Sequence, residues 1–177
     1  MAKEVDVVVA WIELNGWDTG IKFAASHFIP GHTKCGRLHG HVYGVRVRIY
    51  GDLGENHMVM DFIELKKFLK RIAEEMDHHV LIPTLSSEME ITKKEKEGCV
   101  EVLVKTPEPK RYVFPLEDVC FVEIPQVSAE KLAEYLLRRI TAETSFPPGV
   151  KKIEVGVDEG RGQGGWVSME IKTVRGG

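Results

Sequence analysis

Cysteine is scarce in this chain of 177 residues, which has three, at positions 35, 99 and 120. An odd and sparse set does not build the disulfide framework that holds small secreted domains together. The chain also has no run of about 18 continuous apolar residues, the length that a membrane-spanning helix needs. Its first residues, MAKEVDVVVAWIELNG, carry acidic side chains inside a short apolar run, unlike a signal peptide. We therefore predict a cytoplasmic protein with no membrane partner.

A strong excess of either charge is missing as well. Lysine and arginine number 24 against 27 aspartates and glutamates, a net charge of -3. Proteins that bind phosphate backbones usually carry a basic surface, so we predict no nucleic acid partner. The hydrophobic fraction of 43% is enough to bury one core at this length. We predict a single domain spanning residues 1–177.

Strand patterns occur at both ends of the chain. Residues 5–13, 21–28 and 41–50 are rich in β-branched side chains, and similar patterns return at 151–159 and 166–174. The segment IPGHTKCGRLHG, which joins the second and third of these, is punctuated by proline and glycines. It therefore predicts a long connection rather than a tight turn, with Cys35 inside it.

Two segments show helical spacing of apolar residues. Residues 61–76 begin with Asp61 as the cap and carry Glu64 three positions later. A second helix begins near Ser128, in SAEKLAEYLLRRI. Between the helices, at about 84–122, a charged run leads into two β-like runs joined by a turn with proline. We predict an inserted hairpin there. A solvent-exposed addition to the fold is favoured over a surface that docks a partner or forms an oligomer contact.

The segment KCGRLHGHVY concentrates residues that bind metals. His39 and His41 are two positions apart on a predicted strand, so their side chains point the same way. An antiparallel return of the chain would bring His27 beside them. Three imidazoles with a vacant fourth position are typical of catalytic zinc sites, whereas structural sites have four protein ligands. Cys35 could be that fourth ligand, or it could be an inert thiol. It could also be a reactive thiolate, because a neighbouring dication favours loss of the thiol proton. The pattern alone does not decide among these three roles.

Two further patterns involve carboxylates. Asp77 precedes His78 at the end of the first helix, where an acid can fix the tautomer of an imidazole for proton transfer. Adjacent side chains often do not touch, so a simple helix end is the favoured interpretation, and His79 competes for the role. Asp158 and Glu159 end a strand before a glycine-rich loop. A carboxylate there could pair with two N–H donors of a guanidine-like edge, as in guanine and pterin rings.

Together these segments resemble the 6-pyruvoyl-tetrahydropterin synthase / 6-carboxy-tetrahydropterin synthase family. The matching segments, in the family's order, are FAASHF, CGRLHGHVY, VMDFIELKKFLK, MDHHVLI, SAEKLAEYL and VGVDE. The resemblance implies an α+β tunnelling fold, with a four-stranded antiparallel sheet and two helices on one face. It also implies a homohexamer with sites at subunit interfaces.

The resemblance assigns a role to each candidate residue. It implies zinc (Zn²⁺) as the cofactor, held by His27, His39 and His41. It implies that Cys35 is the catalytic base, that Asp77 and His78 transfer protons, and that Glu159 anchors the pterin. Ser128 is the one hydroxyl that survives from the family's Pro-Thr-x-Glu segment, and it is implied to bind substrate. Gly160 departs from the threonine that is common after the anchoring glutamate.

The resemblance also implies a reaction. The short spacer CGRLHGH is similar to that of the 6-carboxy-tetrahydropterin synthases, which convert 7,8-dihydroneopterin triphosphate to 6-carboxy-tetrahydropterin, acetaldehyde and triphosphate. These enzymes serve the synthesis of the 7-deazapurines queuosine and archaeosine. The alternatives are a 6-pyruvoyl-tetrahydropterin synthase, which keeps the three-carbon side chain, and a non-catalytic zinc- or pterin-binding protein.

Overall fold

The computed structural model describes residues 9–105 and 109–171, which form two β-sheets and three helices. Both helices and strands contribute to the core, so the predicted α+β class is confirmed. The strands are β1 (Ala10–Asn15), β2 (Lys22–His27), β3 (His39–Gly51), β4 (His79–Pro83), β5 (Met89–Lys94), β6 (Cys99–Val104), β7 (Lys110–Pro115), β8 (Val119–Val122), β9 (Val150–Glu159) and β10 (Gly164–Glu170). The helices are α1 (Gly16–Thr19), α2 (Phe62–Met76) and α3 (Ala129–Glu143).

The larger sheet has seven strands in the order β10-β9-β3-β2-β4-β8, with β1 also paired to β3. Strand β3 is long enough to pair with β2 along its first half and with β1 along its second half. The prediction of a four-stranded antiparallel sheet was wrong in the number of strands. It also missed that β4 and β8 run parallel to their neighbours. These two strands have only five and four residues and no alternating pattern, so the sequence gives little signal for them.

The two long helices lie where their apolar spacing predicted them. Asp61 accepts a hydrogen bond from the backbone of Ile63 at 2.8 Å, and Ser128 accepts one from Lys131 at 3.3 Å, so both N-termini are capped by side chains. The apolar faces of α2 and α3 share one core with β2, β3 and β9. None of the helices in the described residues is long and apolar enough to span a membrane.

The segment predicted as an inserted hairpin is a three-stranded antiparallel sheet, β5-β6-β7. Strand β5 was missed because it lies in a charged run, MEITKK, with most of its side chains at least partly exposed. Val100, Val102 and Val104 of β6 are buried with Phe28, which follows β2, and with Ile82 of β4. This second sheet is therefore docked on the body of the protein.

Two predicted strands extend beyond what the structure describes. Residues 5–8 of the first and 172–174 of the last lie outside the described residues.

Candidate active site

Three imidazoles meet where β2 ends and β3 begins. The antiparallel register places His27 directly opposite His39, and His41 follows two residues later on the same face of β3. One ring nitrogen of each histidine lies within 4.8 Å of one ring nitrogen of the other two. The histidines predicted as metal ligands are therefore brought together by strand pairing alone.

Hydrogen bonds orient these rings for metal binding. The Nδ1 of His27 lies 2.8 Å from the carbonyl oxygen of Val127, and the Nδ1 of His39 lies 2.7 Å from that of Arg37. Each Nδ1 must donate, which leaves Nε2 with a free lone pair, the usual arrangement in metal-ligating histidines. The Nε2 of His27 is buried and has no hydrogen-bond partner among the described residues. A buried acceptor without a partner is unfavourable, so this donor set fits a divalent metal ion.

Burial keeps His27 neutral. The imidazole is 0% exposed, and desolvation, followed by the charges of His39 and His41, lowers its pKa from 6.5 to about 4, while the bond to Val127 opposes this. As the pH falls, His27 therefore becomes protonated near pH 6.5 in the unfolded chain but only near pH 4 in the folded chain. Without metal, stability should be complete above pH 6.5 and fall as the pH drops towards 4. At neutral pH the ring has the form that binds metals.

Cys35 lies in a tight loop beside this cluster. Its carbonyl accepts a hydrogen bond from Ile29 at 2.7 Å, and its N–H donates to Nδ1 of His32 at 3.0 Å. The half-buried thiol lines a depression of about 470 Å³ together with His39, His41 and Glu159. Within the described residues, the side chains close enough to share one metal are the three histidines, without Cys35. This geometry favours a thiol held beside the histidine cluster over a fourth metal ligand.

The carboxylate that faces the depression belongs to Glu159. Its Oε2 lies 3.9 Å from Nε2 of His41, and the residue pairs with Tyr43 across β9 and β3. Asp158 points to the other face, where it accepts a hydrogen bond from the Trp17 indole at 2.8 Å. Gly160 has a φ of 84°, a left-handed conformation that favours glycine over threonine. The glycine at this position therefore fits the backbone conformation of the turn.

Asp77 and His78 do touch, although the sequence favoured a simple helix end. The Nδ1 of His78 lies 2.7 Å from Oδ2 of Asp77, whose other oxygen accepts the N–H of Ala24 at 2.6 Å. The Ala24 bond, with a smaller contribution from His78, lowers the pKa of Asp77, so the carboxylate stays ionised. His79 bonds instead to the Asp77 carbonyl. His78 has a φ of 60° and a side chain that is 85% exposed, a strained and accessible position.

His78 and Cys35 line different depressions. The depression around His78 is lined by Ala24 and Ser26 of β2, by Gly40 and Val42 of β3, and also by His41. The first four alternate with the clustered histidines along the two strands, whereas His41 lines both depressions, so the two depressions adjoin at this residue. One protomer alone does not place His78 and Cys35 in the same depression.

Ser128 and its neighbours have a local structural role. The hydroxyl of Ser128 caps α3, and the residue is absent from the lining of the Cys35 depression. The preceding residue, Val127, provides the carbonyl that orients His27. No pattern in the sequence pointed to this carbonyl or to His32, because any residue can provide a carbonyl and lone histidines are common. Lys34, Arg37, Leu38 and Gln163 also line the depression and were not assigned from sequence.

Comparison with known proteins identifies the family. The model of the 6-pyruvoyl tetrahydropterin synthase family matches residues 18–170. The chain belongs to this family. The resemblance seen in the sequence is therefore confirmed, and with it a tetrahydropterin synthase family that acts on a pterin substrate.

Individual family members agree with this assignment. A provisionally named 6-carboxy-5,6,7,8-tetrahydropterin synthase of Methanocaldococcus jannaschii is 36% identical over 157 residues, which is 86% of this chain and 93% of that protein. The 6-carboxy-5,6,7,8-tetrahydropterin synthase of Haemophilus influenzae is 29% identical over 67% of this chain and 76% of its own length. The crystal structure of 6-pyruvoyl tetrahydropterin synthase from Plasmodium vivax superposes with a TM-score of 0.83 at 25% identity, covering 93% of this chain and all of the other.

Proposed function

We propose that the protein is a zinc-dependent 6-carboxy-tetrahydropterin synthase that converts 7,8-dihydroneopterin triphosphate to 6-carboxy-tetrahydropterin, acetaldehyde and triphosphate. The observation that carries this is one depression lined by Cys35, Glu159 and two of the three clustered histidines. The names of the M. jannaschii and H. influenzae relatives support the carboxy product. In the cell, the product would enter 7-deazapurine synthesis in the cytoplasm, towards queuosine or archaeosine.

The clustered histidines and the residues of this depression would have different roles in the reaction. His27, His39 and His41 would hold zinc, which as a Lewis acid would polarise the hydroxyls of the substrate side chain. Glu159 accepts two hydrogen bonds from the pyrimidine edge of the pterin and fixes the ring. The Cys35 thiolate removes a proton from a carbon of the side chain. Lys34 and Arg37, at the rim, place positive charge where a triphosphate can bind.

Asp77 and His78 would complete the site from a neighbouring protomer. The ionised Asp77 holds the His78 ring through Nδ1 and leaves Nε2 free to exchange a proton. His78 and Cys35 line different depressions of one protomer, and a second copy would bring them together. We propose a homohexamer with sites at subunit interfaces, in which Ser128 is a further substrate contact.

A second candidate is the pyruvoyl-forming reaction, which the likeness to the P. vivax enzyme favours. Incubation with dihydroneopterin triphosphate and chromatography of the products separates the candidates. Acetaldehyde with 6-carboxy-tetrahydropterin supports our proposal, and 6-pyruvoyl-tetrahydropterin without acetaldehyde supports the second candidate. Binding of a pterin without any turnover would indicate a non-catalytic zinc- or pterin-binding protein.

We expect about one zinc per chain, bound through nitrogen, because three imidazoles with an open position form a catalytic zinc site. His39→Ala should lose the zinc, whereas His57→Asn, which changes an exposed histidine outside the cluster, should keep it. Elemental analysis gives the stoichiometry, and X-ray absorption gives the ligand atoms. Sulfur in the first coordination shell would make Cys35 a ligand and contradict its assignment as a base.

Glu159→Gln is expected to weaken the binding of a pterin without phosphates while zinc content stays unchanged. Loss of a charged hydrogen-bond partner costs about 1.5–3 kcal/mol, which corresponds to roughly 10- to 150-fold in the dissociation constant. Asp158→Asn is the matched control, because that neighbouring carboxylate faces Trp17 instead of the depression. Titration calorimetry measures both variants. If Asp158→Asn weakened binding and Glu159→Gln did not, the anchor would be Asp158.

A further inference from the structure

The backbone N–H and carbonyl groups of Cys35 and Gly36 are all held by hydrogen bonds. Three of these bonds come from within the loop itself: Ile29 N–H to the Cys35 carbonyl, Cys35 N–H to His32 Nδ1, and Gly36 N–H to the His32 carbonyl at 2.9 Å. The fourth group, the carbonyl of Gly36, accepts a hydrogen bond from Nζ of Lys110 at 2.8 Å. Lys110 is the first residue of β7, 74 positions further along the chain. The second sheet therefore holds the peptide between Gly36 and Arg37, one residue beyond Cys35.

The same strand also contacts the start of the cysteine loop. Phe28, the first residue after the ligand candidate His27, is 2% exposed and stacks on the Tyr112 ring with centroids 4.8 Å apart and planes at 23°. Tyr112 in turn stacks on Phe114. The loop that carries Cys35 is thus fixed to β7 at Phe28 and again at Gly36.

One face of β7 makes all of these contacts. Lys110, Tyr112 and Phe114 alternate with Arg111 and Val113, so the first three share a face and are half-buried, while the other two are exposed. Arg111 pairs with Glu101 of β6 on the outer face. Neighbouring cations on one strand therefore have different environments, and one of them reaches the cysteine loop.

We propose that Lys110 is a positioning residue for Cys35, and that the second sheet serves to hold the cysteine loop against the metal site. The inference depends on the proposed function only in taking Cys35 as the base. A base must lie within hydrogen-bond reach of the proton that it removes, and a displacement of about 1 Å can lower the rate by roughly 100-fold. A lysine is suited to this task because its charged donor makes a strong bond to a carbonyl.

Lys110→Met is expected to lower kcat with dihydroneopterin triphosphate by about 10- to 100-fold, with KM within about two-fold of the wild type and full zinc content. Lys110→Arg should restore kcat to within about three-fold, because the guanidinium again provides a charged donor. Arg111→Met removes the same charge from the other face and should leave both constants unchanged. A rise in KM for Lys110→Met would instead make Lys110 a substrate contact and overturn the inference, as would an equal loss of kcat in Arg111→Met.

Amide hydrogen exchange tests the same inference without turnover. In Lys110→Met, peptides that cover residues 29–37 should exchange at least about ten-fold faster, while those of β9 keep the wild-type rate. Unchanged exchange in the loop would overturn the inference. If the wild type failed to convert the substrate, the proposed function would fall, whereas faster loop exchange in Lys110→Met alone would still support the positioning of Cys35 by Lys110.

Discussion

Cys35→Ala is expected to lower kcat for dihydroneopterin triphosphate by at least about 10²- to 10⁴-fold, the range that general-base catalysis contributes. A base acts in the transition state, so KM should change little. Zinc content should also stay at the wild-type level. Among the described residues, the side chains close enough to share one metal ion are three histidines, and Cys35 is not one of them. Steady-state kinetics and metal analysis on one preparation measure all three quantities.

A second cysteine provides the control for this variant. Cys120 is also half-buried but lies on β8, outside the lining of the depression, so Cys120→Ala should keep the wild-type kcat. Near-normal turnover in Cys35→Ala would instead assign the proton transfer to His78. Loss of zinc in Cys35→Ala would assign the thiol as a ligand, because removal of a ligand weakens the metal site directly.

The sequence predicted those elements whose capping residues and side-chain spacing lie within the element itself. The two long helices were found because Asp61 and Ser128 cap them and because their apolar residues recur at helical spacing. The histidine cluster was found because two of its members are two positions apart on one strand. In each case the information lies within a few neighbouring residues.

Contacts between distant segments were not predictable in the same way. Strands β4 and β8 pair in parallel. Parallel strands are not joined by a tight turn, so no turn motif in the sequence indicates the pairing. The Val127 carbonyl that orients His27 lies 100 positions away, and the Lys110 bond to Gly36 spans 74. Backbone carbonyls occur at every residue, so their use depends on the folded arrangement alone. The family resemblance provided roles that the local patterns left open, above all for Cys35.

Mixing two inactive variants is expected to restore activity, which tests whether the site lies between protomers. Cys35→Ala loses the proposed base and His78→Ala loses the proposed proton-transfer partner, so each should be nearly inactive alone. If every site combines Cys35 of one protomer with His78 of its neighbour, random assembly of equal amounts leaves both groups intact in about one quarter of the sites. Co-expression with two affinity tags, followed by kinetics on the mixed oligomer, should then give about one quarter of the wild-type kcat.

The matched control combines Cys35→Ala with His39→Ala. Cys35 and His39 line the same depression of one protomer, so every site of this mixed oligomer lacks one of the two groups and no activity should return. Equal lack of recovery in both mixtures would mean that His78 acts within its own protomer, which would require the sheet around β2 to rearrange on binding. Recovery in the first mixture alone would mean that the exposed, strained His78 is held ready for a neighbouring subunit. A monomer could then bind zinc and pterin without turning the substrate over, because its own His78 and Cys35 line different depressions.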